Sequence, residues 1–150
     1  MGALKRILLV EDDPKDIELI LHALEEYNLA NEVVVARDGV EALDYLYRKG
    51  PFAQRPEGNP VLILLDLKMP RLDGSQVLKQ LKSDEQLRLV PVVILTSSRE
   101  SHDLENGYRL GANAYVVKPV HFTEFARAVK EIGLFWAIIN EPPPDSVKKP

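Results

Sequence analysis

The chain has 150 residues, 45% of them hydrophobic, which suits one globular domain with a sizeable core. It contains no cysteine, which excludes a disulfide framework, a thiol nucleophile and a cysteine-ligated metal site. A formal net charge of −4 gives no electrostatic reason to expect nucleic acid as a partner.

Lys5-Arg6 precede only Ile7-Leu8-Leu9-Val10 before acids intervene, so no signal peptide is read at the N-terminus. No apolar run approaches transmembrane length, and a cytoplasmic protein with no membrane partner is expected. Ile7 to Val10 reads as a buried strand that ends directly in Glu11-Asp12-Asp13-Pro14. Asp13 before Pro14 is a helix N-cap followed by proline at the first helical position, with Asp16 favourable in the first turn. The helix carries Ile17, Ile20, Leu21 and Leu24 on one face. Val33-Val34-Val35 gives a second strand, and Ala36-Arg37-Asp38-Gly39 reads as a turn. Val40, Leu43 and Tyr47 mark the next helix, and Lys49 to Pro60, rich in proline and glycine, a long loop.

Val61-Leu62-Ile63-Leu64-Leu65 shows no polar alternation, so both its faces should be covered, as in a central parallel strand. Asp66 ends it, and Met69-Pro70 then breaks the backbone away from strand geometry. Asp73-Gly74 reads as a turn, and Val77, Leu78 and Leu81 supply a third helix. Pro91 to Leu95 is a strand ending in the hydroxyls of Thr96, Ser97 and Ser98. A fourth helix, weakened by Asn106-Gly107, is expected between Glu100 and Leu110. Tyr115-Val116-Val117 is the fifth strand, ending in Lys118-Pro119, and the last helix runs from about Phe122 past Trp136. Strands alternating with helices predict an α/β fold: a doubly wound five-stranded parallel sheet, order 2-1-3-4-5, flanked by five helices.

Every candidate then lies at the carboxyl end of a strand: Glu11 and Asp12, Asp66, Thr96, Lys118. In that strand order these ends are adjacent, and ligands collect outside them. Crowded carboxylates repel, so either their pKa values rise or a cation neutralises them. Oxygen ligands on a partly open site suit Mg²⁺. A carboxylate there can attack a phosphoryl group, with a lysine and a hydroxyl contacting its oxygens. A cis Lys118–Pro119 bond would aim the lysine at the site.

Val10-Glu11-Asp12-Asp13, Leu65 to Gly74, Ile94-Leu95-Thr96-Ser97 and Gly111 to Pro119 resemble the receiver domain of bacterial two-component response regulators, in order and at family spacing, over about residues 4 to 133. The resemblance implies a flavodoxin-like receiver fold and a phosphorelay protein rather than an enzyme. It implies Asp66 as phosphoacceptor and Mg²⁺ or Mn²⁺ held by Asp66, Asp12, Glu11 (mainly through water) and the Lys68 backbone carbonyl. Thr96 and Ser97 match the switch hydroxyl region, Lys118 the phosphate-binding lysine, and Tyr115 the switch aromatic. The implied partner is a sensor histidine kinase or a histidine phosphotransfer protein, and the surface of the fourth helix, fifth strand and fifth helix is the part that responds. The long loop before Val61 and the ending Gly133 to Pro144 resemble single-domain regulators associated with bacterial phytochromes, which adds a bacteriophytochrome as the candidate kinase.

The runner-up is a phosphatase of the haloacid dehalogenase type, which also forms an aspartyl phosphate. That family places a second Asp two residues after the nucleophile, where this chain has Lys68. A receiver-like scaffold that is not phosphorylated normally lacks a key position, and none is missing here. A dinucleotide-binding fold is disfavoured for want of a glycine-rich turn after a strand. His22, His102 and His121 are expected at the surface. Residues 1–140 are read as the receiver domain with an extended last helix, and 141–150 as a proline-rich arm. Too few residues follow Trp136 for an output domain. Leu134 to Ile139 is apolar on every side, which predicts a homodimer through Phe135, Trp136, Ile138, Ile139 and the arm.

Overall fold

The computed structural model describes residues 6–29, 33–118 and 121–144, apart from the side chain of Phe122. In chain order the elements are β1 (Ile7–Val10), α1 (Pro14–Glu25), β2 (Val33–Ala36), α2 (Gly39–Tyr47) and β3 (Leu62–Leu65). They continue as α3 (Gly74–Ser83), β4 (Val92–Thr96), α4 (Ser101–Arg109), β5 (Ala114–Val117) and α5 (Phe122–Gly133). Leu134–Ile139 prolongs α5 as a wider π-helical turn, closed by the Asn140 N–H donating to the Phe135 carbonyl at 2.6 Å. All strand pairs are parallel, in the expected order β2-β1-β3-β4-β5.

The lack of polar alternation in the central strands has a direct cause. Leu8 and Val10 of β1, Ile63 and Leu65 of β3, and Ile94 of β4 enter one core, covered by α2 and α3. Ile7, Leu9, Leu62, Leu64 and Val93 enter the other, covered by α1 and α5. Each fully buried aliphatic side chain contributes roughly 1.5–3 kcal/mol, and both faces of every central strand collect it.

Three readings change at the helix starts. Both Asp-Gly pairs, expected as turns, are instead the first residues of helices: Asp38 and Asp73 are N-caps, and Gly39 and Gly74 open α2 and α3. Asp73 forms a capping box with Gln76. Glycine is required at both places because a Cβ would collide with a backbone carbonyl, that of Leu72 at Gly39 and that of Asp66 at Gly74. The buried stripe of α2 is therefore Gly39, Ala42, Tyr45 and Leu46, whereas Val40, one of the three residues that mark the helix in the sequence, is 36% exposed. The close approach at Gly39 sets the rotation of the helix.

The long loop after α2 is tied by Arg55. Its guanidinium stacks over the Tyr45 ring and donates to the carbonyls of Tyr45 (2.6 Å), Leu46 (3.3 Å), Pro56 (2.7 Å) and Gly58 (3.1 Å). Two of those carbonyls belong to the last turn of α2, where a cation meets the negative end of the helix.

Candidate functional site

The carboxyl ends of the strands meet on one edge because the backbone ladder continues into the polar residues. Val10 pairs with Leu65, and the Asp66 N–H donates to the Val10 carbonyl at 3.0 Å. The Glu11 N–H donates to the Ala36 carbonyl at 2.9 Å, and the Lys118 N–H to the Thr96 carbonyl at 2.7 Å. The side chains of Glu11, Asp66 and Lys118 therefore leave from residues still held by the sheet.

Glu11, Asp12 and Asp66 converge, with carboxylate oxygens within 4.8 Å of one another. Asp12 is exposed, while Glu11 and Asp66 are buried. One Glu11 oxygen accepts from the N–H groups of Asp12 and Asp13, and the other accepts from Lys118 Nζ at 2.6 Å. Protein donors already occupy Glu11, which leaves Asp12 and Asp66 the freer oxygens. Hard oxygen donors crowded on a site open at Asp12 fit a divalent cation of the Mg²⁺ or Mn²⁺ kind. The carboxyl groups also show the cost of crowding. Burial lifts Glu11 to about 7, reinforced by Asp66 and opposed by Lys118. Burial likewise raises Asp66, against the stabilising effects of Lys118, Glu11, the Thr96 hydroxyl and the Lys68 backbone.

Lys118 Nζ lies 3.8 Å from Asp66, but its hydrogen bonds go elsewhere: to Glu11 and, at 2.7 Å, to Asp16 of α1. Burial presses the lysine toward neutrality, and the bonds it donates to Asp16 and Glu11 overcome this, so its pKa is raised. Asp16 was read from the sequence only as a first-turn acid. No local pattern marks its partnership with Lys118, because Asp12 precedes the helix and the direction of Asp16 is set by how α1 docks on the sheet.

On the far side, Thr96 is fully buried next to Asp66, and Ser97 is exposed at the rim. Tyr115 donates its hydroxyl to the Ser98 carbonyl at 3.0 Å, which ties β5 to the loop after β4. Asp103 of α4 completes this side, accepting from Ser98 Oγ at 2.6 Å and facing Lys68 Nζ at 3.8 Å. The Lys68 side chain is thus turned away from the carboxylates, leaving only its backbone beside Asp66. Gly107, read as a weakness of α4, lets the helix lie against Ile94 and the Tyr115 ring, which a Cβ would crowd at 2.8 and 3.2 Å. His22, His102 and His121 are exposed as expected, and the peptide bond to Pro119 lies outside the described residues.

Comparison with known proteins agrees with this geometry. The response regulator receiver domain family matches residues 7–130. Response regulator Rcp1 of Synechocystis is 36% identical over 132 residues, spanning 88% of this chain and 88% of its own, and its Mn²⁺-bound crystal structure superposes with a TM-score of 0.86. The phosphorylated cyanobacterial phytochrome response regulator RcpA is 41% identical with a TM-score of 0.86, over 93% of this chain and 98% of that one. The bacteriophytochrome response regulator RtBRR is 59% identical with a TM-score of 0.75, over 95% of this chain and 86% of that one. Sequence match, strand order and the clustered carboxylates lead to one conclusion: the chain belongs to the response regulator receiver domains of two-component signalling.

Proposed function

We propose that Asp66 accepts a phosphoryl group from a phosphohistidine donor, with Glu11 and Asp12 holding the metal and Lys118 and Thr96 contacting the phosphoryl oxygens. The observation that carries this is the position of Asp66 at the end of the central strand, among Glu11, Asp12, Thr96 and Lys118. An Asp66 carboxylate oxygen attacks phosphorus, the P–N bond to the donor breaks, and the imidazole nitrogen keeps the electron pair. Asp12, Asp66 and the Lys68 carbonyl, with Glu11 mainly through water, would hold a Mg²⁺ or Mn²⁺ ion, which would supply positive charge for the transferred oxygens. The Lys118 ammonium adds a second cation, and the buried Thr96 hydroxyl a neutral donor. The Thr96 hydroxyl, drawn toward the phosphoryl group, leaves space to Tyr115, so that the surface of α4, β5 and α5 carries the signal.

The donor is a sensor histidine kinase or a histidine phosphotransfer protein. The likeness to RcpA and RtBRR supports a bacteriophytochrome as that kinase. Self-association through the end of the chain belongs to the same reading, with residues 1–140 as the receiver domain and 141–150 as the arm. Phe135, Ile138 and Ile139 are 46%, 47% and 62% exposed, and a second copy would cover them. Trp136 contributes less, since it packs partly on its own core.

Intact mass after phosphotransfer from a candidate kinase tests the proposal. One phosphoryl adduct is expected on the wild type and none on Asp66→Asn. Labelling that survives this substitution, or that persists undiminished in excess chelator, refutes it.

A further inference from the structure

We propose that Asp16 is a positioning residue of the phosphoacceptor site: it retains the Lys118 ammonium on the Glu11 side, off Asp66, and so keeps the Asp66 carboxylate open to a divalent cation. This rests on the metal and phosphoacceptor reading above.

Three carboxylates, Glu11, Asp16 and Asp66, surround the ammonium of Lys118. Lys118 is largely buried, and a buried ammonium takes the partners within reach. Glu11 at 2.6 Å and Asp16 at 2.7 Å draw the nitrogen toward α1 and β1, and Asp66 stands at 3.8 Å, beyond a hydrogen bond. Removing Asp16 leaves Asp66 as the nearest carboxylate not yet bonded to the lysine. The ammonium then closes on Asp66 and competes with the cation for the same oxygens. Asp16 reaches the site from the first turn of α1, where Pro14 and the Asp13 cap fix the start of the helix. The carboxylate is therefore held by a rigid element and not by a loop.

Binding of Mn²⁺ alone to the full chain, counted by electron paramagnetic resonance, tests this as a cycle of Asp16→Ala, Lys118→Met and the double variant. Asp16→Ala should weaken Mn²⁺ binding about five- to tenfold when Lys118 is present. In the Lys118→Met background only the lost charge remains, and the factor should fall to about two. Thermal melts of all four proteins separate this from misfolding, and Asp16→Asn, which keeps the side-chain shape without the charge, replaces Asp16→Ala if the latter fails to fold. Equal factors in both backgrounds, or a chain destabilised with unchanged Mn²⁺ affinity, overturn the assignment to Asp16 and leave Asp66 phosphotransfer standing. A wild type that binds no Mn²⁺ overturns it together with the metal reading.

Discussion

At the scale of single residues, the site is a set of charges held against their preference. Glu11 is 1% exposed and lifted to about 7 from an ordinary 4.5, so between those values the folded chain binds its proton more tightly than the unfolded chain. The stabilisation this provides is fully present below about pH 4.5 and is lost as pH rises through about 7, on the order of 3 kcal/mol. Asp66, raised by the same burial, acts with the same sign. A divalent cation among these oxygens inverts the balance, since it favours the charged forms. The metal-free melting temperature should thus fall from about pH 5 to about pH 8, and fall less in Glu11→Gln, which has no proton to lose. Added Mg²⁺ should raise it more at the higher pH. Parallel melting curves for wild type and Glu11→Gln across that range would contradict the assignment.

At the scale of elements, the same kind of close contact serves two different ends. Gly74 places the start of α3 against the Asp66 carbonyl, so its packing is coupled to the backbone of the proposed phosphoacceptor. Arg55 ties the loop to the last carbonyls of α2, away from the strand ends. Gly74→Ala and Arg55→Ala should each cost about 1–3 kcal/mol in urea unfolding. They should differ in function. Gly74→Ala displaces the Asp66 backbone and should slow phosphotransfer several-fold, whereas Arg55→Ala should leave it at the wild-type rate. Arg55→Lys should not restore stability, because a lysine lacks the planar fork that reaches several carbonyls. A Gly74→Ala chain with wild-type phosphotransfer would show that the contact is only structural.

At the scale of the whole molecule, the turn Leu134–Ile139 has one buried side and one outward side. Ala137 is 2% exposed and belongs to the core shared by α1 and α5, and Gly133 packs so closely on Leu24 that a Cβ would displace the leucine side chain. Phe135, Ile138 and Ile139 face outward on the same turn. Deleting everything after Gly133 would therefore damage the domain along with any interface. Ile138→Asp with Ile139→Asp changes only the outward face. Light scattering at micromolar concentration should find the wild type dimeric and this variant monomeric, with unchanged melting temperature. A monomeric wild type, or a variant that pairs equally well, rules out the interface.

The five apolar runs and the polar residues ending them were legible from the sequence alone, and with them the strand order and the edge where Glu11, Asp12, Asp66, Thr96 and Lys118 meet. The physical reason is that a parallel sheet covered on both faces needs unbroken apolar strands, and strands that all run the same way bring their carboxyl ends to one edge. The partnerships made across that edge were not legible. Lys118 and Asp16 stand 102 residues apart, and which carboxylate takes the ammonium depends on how α1 crosses the sheet. The same holds for Asp103 beside Lys68 and Ser98, and for Asp38 and Asp73, whose Asp-Gly pairs look like turns until Leu72 and Asp66 press against the glycines. Strand ends follow from local pattern, whereas side-chain partners follow from the rotation and docking of helices, which only tertiary packing decides.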